Sequence, residues 1–152
     1  DSKGFYWFGG ANGLIRFTDP AGERHDAIWY RMGDKTYPLS HNRIRHIYED
    51  KEQQLWIATD GSINRYDYAT RQFIHYNTGT YNTNWTYYIF EDTAGQLWIS
   101  TCLGGIFVVD KHKLMQSTSG QYIAEQNYSV HNGLSGMFIN QIIPDNEGNV
   151  WV

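Results

Sequence analysis

The sequence predicts an all-β protein, a segment of a β-propeller with about three four-stranded antiparallel blades that is cut at both ends. Three observations predict this fold: a repeated tryptophan motif, an aromatic-rich composition and frequent glycine. Of the 152 residues, 16% are aromatic, 18% are charged and 15 are glycine. Aromatic side chains favour the pleated, half-buried surface of a sheet, and glycine serves turns that need a positive φ angle.

The repeat is centred on four tryptophans. Trp7, Trp56, Trp98 and Trp151 are spaced by 49, 42 and 53 residues, which is close to the roughly 40–50 residues of known propeller blades. Two of the motifs are nearly identical, because Gln-Leu-Trp-Ile-Ala-Thr at 54–59 returns as Gln-Leu-Trp-Ile-Ser-Thr at 96–101. The spacing and the motif together indicate repeated blades.

The repeat divides the chain into two whole units and two partial ones. The units are a partial blade at 1–38, blades at 39–80 and 81–133, and a partial blade at 134–152. Turn signals separate four short strands in each whole unit. The predicted strands are 44–49, 55–59, 63–67 and 73–76 in the second unit, and 86–91, 97–101, 106–109 and 124–130 in the third. Because propellers close with about 4–8 blades, we expect the two end blades to have unpaired edges. The isolated chain is expected either to self-associate or to be part of a longer protein.

The strand that carries the tryptophan is predicted to be buried on both faces, because blades stack on blades. In residues 55–59, period-two alternation places Trp56 and Ala58 on one face and Leu55 and Ile57 on the other. The residue two positions after Trp7, Trp56 and Trp98 is small, which leaves room for a side chain of the neighbouring blade. These small residues are Gly9, Ala58 and Ser100.

An aspartate stands six residues before three of the tryptophans, at Asp50, Asp92 and Asp145. Asp accepts hydrogen bonds from its own backbone two residues on, and glycine takes the left-handed position of a tight hairpin. Gln53 replaces this glycine in the second unit, so that turn is expected to be strained or to take another form. Since the three aspartates belong to different blades, we interpret them as turn residues and expect no metal site.

Composition and motifs argue against several classes of function. The net charge is −4 and no stripe of Lys or Arg offers a surface for nucleic acid. The basic cluster at 111–113 is interpreted as a solvated loop, and Cys102, the single cysteine, as a small buried side chain. No stretch approaches the ~18 apolar residues of a membrane span. No GxSxG, P-loop or dinucleotide motif is present, and we expect no cofactor and no catalytic residue.

One sequence pattern runs through the repeat: Leu-Ser, then Ile, then Glu-Asp, then Leu-Trp-Ile-Gly/Ala-Thr and Gly-x-Ile-x-Arg-Tyr-Asp. It is matched best at 39–67 and 91–110, and more loosely at 134–152. It resembles the propeller repeat of two-component regulators, found in the periplasmic sensor region of Bacteroides-type hybrid histidine kinase/response regulators. The sequence departs from that pattern where Ala58 and Ser100 replace the usual glycine.

The resemblance implies a function in signal transduction. In such regulators the propellers lie outside the inner membrane and precede a β-sandwich, a membrane span, a histidine kinase and a DNA-binding regulator. The resemblance therefore implies a periplasmic piece of an inner-membrane sensor that has no enzyme activity of its own. It also implies an oligosaccharide ligand, control of polysaccharide-utilisation genes, contact with the remaining blades and a homodimer formed through the parent protein.

Two other functions remain open. Streptogramin lyases have similar tryptophan-bearing blades and use a metal and a His base, so a cluster of His and acidic residues at one end of the channel would favour an enzyme. A purely structural array that serves dimerisation would show no change of melting temperature with any sugar. The fold does not decide between these functions.

The predicted ligand site lies at the end of the propeller where loops enter the innermost strands and follow the tryptophan strands. Arg43, Trp85 and Phe138 each stand thirteen residues before a tryptophan, and equivalent positions converge on the central channel. Their side chains differ although the scaffold repeats, which favours binding over packing. Aromatic faces and a few polar groups suit a sugar. The adjoining loops add Tyr81, Asn84, Asp60 and His131. In the alternative interpretation, Trp85 only fills the channel.

Overall fold

The computed structural model describes residues 1–19, 26–36, 38–77 and 85–152. Its elements are β1 (Tyr6–Gly10), β2 (Gly13–Phe17), β3 (Ile28–Tyr30), β4 (Ile44–Glu49), β5 (Leu55–Thr59), β6 (Ile63–Asp67), β7 (Gln72–Tyr76), β8 (Thr86–Glu91), β9 (Gln96–Thr101), β10 (Ile106–Asp110), α1 (Lys111–Gln116), β11 (Gln126–Tyr128), β12 (Ile143–Pro144) and β13 (Val150–Trp151). Among the described residues, no helix is long and apolar enough to cross a membrane.

Successive strands pair antiparallel into separate sheets. In chain order, strands β1 to β3 form the first sheet, β4 to β7 the second, β8 to β11 the third and the pair β12–β13 the fourth. The second and third sheets have four strands each. The predicted all-β fold of antiparallel four-stranded blades is confirmed. Three strands of the second sheet have the predicted bounds, 44–49, 55–59 and 63–67. The limits of the four sequence units stay a prediction.

The central strand β5 is buried on both faces, as its sequence predicts. Leu55 and Ile57 pack in a cluster with Tyr30 of the first sheet, whereas Trp56 packs in a cluster with Ile89 of the third sheet. The hydrophobic core of the chain is therefore the series of spaces between neighbouring sheets.

Gly9, the small residue two positions after Trp7, faces a side chain of the next sheet. A Cβ atom added to Gly9 would lie 2.3 Å from Cγ2 of Ile44, far inside van der Waals contact. In the third sheet Ser100 is completely buried, and no hydrogen-bond partner of its hydroxyl is found in the described part of the chain. Size, and not polarity, is what this position requires.

Each turn aspartate binds the indole of the tryptophan six residues later. The Nε1 atoms of Trp56, Trp98 and Trp151 donate to aspartate Oδ2 at 2.9 Å. Trp7 donates in the same way to Asp1, at 2.6 Å, although the sequence analysis overlooked Asp1. In the four turns the other carboxylate oxygen accepts two backbone amides each. The interpretation of these aspartates as turn residues holds, with an additional bond to the tryptophan.

The turn of the second sheet keeps the same form despite its lack of glycine. Gln53 has a φ angle of 62°, in the left-handed region that Gly4, Gly95 and Gly148 occupy in the other turns at 84°, 81° and 88°. The expected strain is therefore present, and the alternative of a different turn form is wrong.

Lys111 is buried, which corrects the interpretation of residues 111–113 as a solvated loop. It begins helix α1, whose N-cap is Asp110, and its side chain is 1% exposed. The ammonium nitrogen lies 2.7 Å from Oε1 of Glu91 and 3.2 Å from Oδ2 of Asp50. Burial lowers the pKa of Lys111, but the hydrogen bonds to Glu91 and Asp50 outweigh it and raise that pKa above its ordinary value. Two buried carboxylates of adjacent sheets need a cation, which explains why this lysine is not in solvent.

The junction between the first and second sheets is built in the same way as that between the second and third, but with a neutral hydrogen-bond donor in place of Lys111. Tyr68 follows β6 as Lys111 follows β10, and its hydroxyl donates to Oδ2 of Asp1 at 2.8 Å. The amide of Ser2 donates to Oε2 of Glu49 at 2.9 Å. In both junctions the turn aspartate is thus tied to the next sheet as well as to its own tryptophan.

Replacing Gln53 by glycine should stabilise the protein. A left-handed non-glycine residue costs about 1–2 kcal/mol and glycine loses about 0.5–1 kcal/mol more backbone entropy on folding, so Gln53→Gly should raise the free energy of unfolding by about 0.5–1 kcal/mol. Gln53→Ala is the control, because it removes the same side chain but keeps the left-handed strain. Urea unfolding measures both, and an equal effect of the two changes would contradict the assignment of strain.

Asp50 and Asp92, two of the four turn aspartates, should differ in their contribution to the free energy of unfolding. Asp92→Ala removes hydrogen bonds at a half-buried turn and should cost about 1–3 kcal/mol. Asp50→Ala also leaves Lys111 without one of its buried partners and should cost about 3–5 kcal/mol. Equal losses in urea unfolding would show that the contact between Lys111 and Asp50 adds nothing to stability.

Candidate functional site

Strands β4 and β8 each contain a β-bulge at the same place in the repeat. The pairing of β4 with β5 shifts register around Arg45, and that of β8 with β9 shifts around Tyr87. A bulge turns a side chain away from the regular alternation of a strand and is frequent beside functional sites. Both strands are edge strands of their sheets, and they are the strands that the sequence analysis places innermost in each blade.

Arg45 and Arg43 share one carboxylate. Nε and Nη2 of Arg45 donate to the two oxygens of Asp60 at 2.6 and 3.1 Å, and Nε of Arg43 lies 3.6 Å from Asp60 Oδ2. The hydrogen bond to Asp60 raises the pKa of Arg45 despite its partial burial. The Asp60 side chain is buried, whereas that of Arg43 is 54% exposed. Two guanidinium groups face one carboxylate, and the cluster therefore carries a net positive charge.

Two aromatic rings, Tyr87 of the third blade and Phe138 of the fourth, continue this cluster. The Arg45 guanidinium lies over the Tyr87 ring, 4.6 Å from its centroid, and that ring is 5.4 Å from the ring of Phe138. Burial is the main reason for the raised pKa of Tyr87, and a hydrogen bond with Cys102 adds to it. Cys102 is buried as predicted. Phe138 is 56% exposed and offers an open ring.

In both whole blades, the loop before the innermost strand contacts the loop after the tryptophan strand. The amide of Asp60 donates to the carbonyl oxygen of Arg43 at 3.3 Å, and the amide of Cys102 donates to that of Trp85 at 2.9 Å. Trp85 itself is half-buried. The loop before the innermost strand and the loop after the tryptophan strand are thus adjacent, as the choice of predicted site residues assumes.

The remaining predicted residues are not part of this cluster as described. His131 is exposed in a single 3-10 turn, and its amide donates to Ser129 Oγ at 3.3 Å. We find no contact in the described ranges that joins His131 to the cluster. Tyr81 and Asn84 lie outside the described residues.

The sequence analysis missed Arg45 and Tyr87, the two side chains that connect the cluster. Each stands eleven residues before a tryptophan and two after a predicted site residue. Period two places residues i and i+2 on one side of a strand, so extending the selection by two positions would have found both.

The chemical groups of the cluster are hydrogen-bond donors, aromatic rings and one neutralised carboxylate. A guanidinium can donate but cannot accept a hydrogen bond. In residues 1–19, 26–36, 38–77 and 85–152, no group of three or more His, Cys, Asp or Glu side chains could hold a metal ion. The arrangement is suited to holding a ligand that presents acceptor oxygens and an apolar face.

Comparison with known proteins identifies the repeat. The family described as "Two component regulator propeller" matches residues 38–61. Over 99% of its length, the chain is 97% identical to part of the extracellular domain of the proposed hybrid two-component system BT4673 from Bacteroides thetaiotaomicron, with a TM-score of 0.93. A second structure of that domain, described as a one-component system, is 96% identical with the same TM-score and coverage. The chain spans 21% of either structure.

A more distant structure shares only the fold. The extracellular domain of the proposed hybrid two-component system BT3049 from the same organism is 20% identical, with a TM-score of 0.70 over 98% of this chain and 17% of that one. No curated protein matches the sequence.

His46, the neighbour of Arg45 in β4, links the second and third blades. Its ring stacks on that of Tyr88 with centroids 3.9 Å apart, and its Nδ1 accepts a hydrogen bond from the amide of Ile89 at 3.4 Å. Burial lowers the pKa of His46. Because a protonated Nδ1 cannot accept this bond, the junction favours the neutral ring.

Mild acid should therefore weaken the folded state through His46. A lowered folded-state pKa contributes stability above the unfolded value of about 6.5, and this stability is lost as the pH falls towards the folded value. The free energy of unfolding should decrease between pH 7.5 and 5.5, and the decrease should be smaller in His46→Phe, which keeps a stacking ring but cannot titrate. An identical decrease in both proteins would assign the acid sensitivity to other groups.

Proposed function

We propose that this chain, a fragment of the extracellular sensor domain of a hybrid two-component system built from two-component regulator propeller repeats, helps to detect oligosaccharides and so controls polysaccharide-utilisation genes. The observation that carries this proposal is the 97% identity to part of such an extracellular domain. The sensor role of that domain supports a ligand, and the chemistry of the cluster supports a sugar.

The proposed ligand contacts are groups of the loops and strands around the channel end. Arg43 supplies free guanidinium donors and Phe138 supplies an open aromatic ring. Aromatic faces cover the C–H surface of sugars, while donors bond their oxygens. Trp85, Asp60, His131, Tyr81 and Asn84 complete the proposed set.

The proposal also concerns the rest of the parent protein. The fragment would act with further blades of the same propeller, and the parent would lie in the inner membrane with this region in the periplasm and would form a homodimer. The segment itself would catalyse no reaction, because the kinase belongs to another part of the parent. Ligand binding would then change the arrangement of blades that the kinase senses.

Arg43→Ala and Trp85→Ala should weaken oligosaccharide binding without changing the melting temperature. The measurements are isothermal titration calorimetry and thermal melting of the complete extracellular region, with a panel of neutral and acidic oligosaccharides. Loss of a charged hydrogen bond or a stacking ring should weaken binding about tenfold. Binding that is unchanged in both variants would move the ligand site to other blades.

A matched control pair lies in the first sheet. Arg31 covers the ring of Trp29 at 4.9 Å, and Trp29 is 48% exposed, so Arg31→Ala and Trp29→Ala remove the same chemical groups from a pair that, among the described residues, has no side-chain contact with Arg43, Asp60 or Phe138. These variants should bind like the wild type. If no oligosaccharide binds the wild-type region at all, the proposed function is wrong.

A further inference from the structure

We infer that the two bulge residues, Arg45 and Tyr87, contact the ligand directly and determine which sugar this propeller accepts. The inference rests on the proposed function and adds a binding site to it. Each whole blade would contribute one such residue, at the same backbone position but with a different side chain.

The backbone repeats at this position while the side chain does not. Strands β4 and β8 bulge at equivalent residues, and the position two residues beyond each bulge is isoleucine in both blades, Ile47 and Ile89. Packing positions thus keep their residue type. A cation in one blade and a phenol ring in the next, at a repeated bulge, indicate a position whose side chain is not set by packing.

Arg45 is held in place, but not all of its hydrogen-bond donors are used. Asp60 binds its Nε and Nη2, and among the described residues no hydrogen-bond partner of Nη1 is found. Its side chain is 27% exposed. A bidentate pair with a buried carboxylate fixes the plane of the guanidinium. A ligand that binds Nη1 therefore meets an ordered donor and loses less conformational entropy than with a free arginine.

Tyr87 joins the two sides of the site. Its ring lies under the Arg45 guanidinium and against Phe138, and it is itself half-buried. The cation on one side and the ring on the other set the orientation of the phenol. A continuous surface results, with donors in the second blade and aromatic rings in the third and fourth.

The chemistry of this surface defines the ligand. Guanidinium groups require acceptor oxygens, and aromatic rings require an apolar face. A sugar ring offers both. Its acceptor oxygens could be hydroxyls of a neutral sugar or the carboxylate of a uronic acid, and the excess positive charge of the cluster does not exclude either source.

Calorimetric titration of the complete extracellular region tests this inference. The probes are two panels, neutral hexose disaccharides and the corresponding uronic acid disaccharides. Arg45→Gln and Tyr87→Leu should each weaken binding about tenfold or more, and Tyr87→Phe, which keeps the ring, should retain most of the affinity. If binding is strongest in the uronic acid panel and weakens with salt, the acceptor is a carboxylate, whereas salt-independent binding of the neutral panel assigns it to hydroxyls.

Arg45→Gln leaves Asp60 with a single arginine and could destabilise the fold, so a second variant is needed. The double change Arg45→Gln with Asp60→Asn keeps a neutral hydrogen-bonding pair at the same place. It should melt like the wild type and still lose affinity. A double variant that melts and binds like the wild type would overturn the role of Arg45.

Two matched controls separate binding from structure. Arg65→Gln removes an arginine of β6 that donates to Gln54 and Tyr76. Tyr88→Leu removes the ring that follows Tyr87 in the chain and stacks on His46. Both should keep wild-type affinity. Unchanged binding in Arg45→Gln and Tyr87→Leu would overturn this inference alone, while absence of sugar binding by the wild-type region would overturn it together with the proposed function.

Discussion

The hydrogen bond from a tryptophan indole to the aspartate six residues before it is the interaction on which the rest of the fold depends. It fixes a buried aromatic ring and the turn that precedes it with one carboxylate, because the other oxygen accepts two backbone amides. A large side chain placed between two sheets needs its one polar group satisfied there. The turn aspartate provides this partner in all four units.

The same carboxylates also set how one blade joins the next. Asp50 binds Trp56 of its own blade and Lys111 of the following blade, and the amide of Lys51 donates to Glu91 at 2.9 Å. These bonds are made by residues at the turn before each tryptophan strand and at the end of the third strand, and not by the longer loops. The longer loops can therefore differ in length without changing the junction. Blades spaced by 42 and by 53 residues can therefore belong to one array.

Features that depend on local sequence could be predicted, and features that depend on distant partners could not. Strands β4 to β6 and the burial of Trp56 follow from alternation, turns and the repeat. The burial of Lys111 does not, because its partners Asp50 and Glu91 are far away in sequence and only the stacking of blades brings them together. In the candidate site the loops, and Arg45 two positions beyond Arg43, were predictable from equivalent repeat positions, while the contacts of Arg45 with Asp60 and Tyr87 depend on partners outside its own strand.

The bulges separate the part of the repeat that builds the propeller from the part that is free to vary. In the second unit the turn aspartate, the tryptophan and the small residue, Asp50, Trp56 and Ala58, are all buried, so a substitution there disturbs a junction. At a bulge the ladder is already interrupted, and the side chain is directed away from the packed faces. Arg45 and Tyr87 can therefore differ in charge, size and shape within an unchanged scaffold.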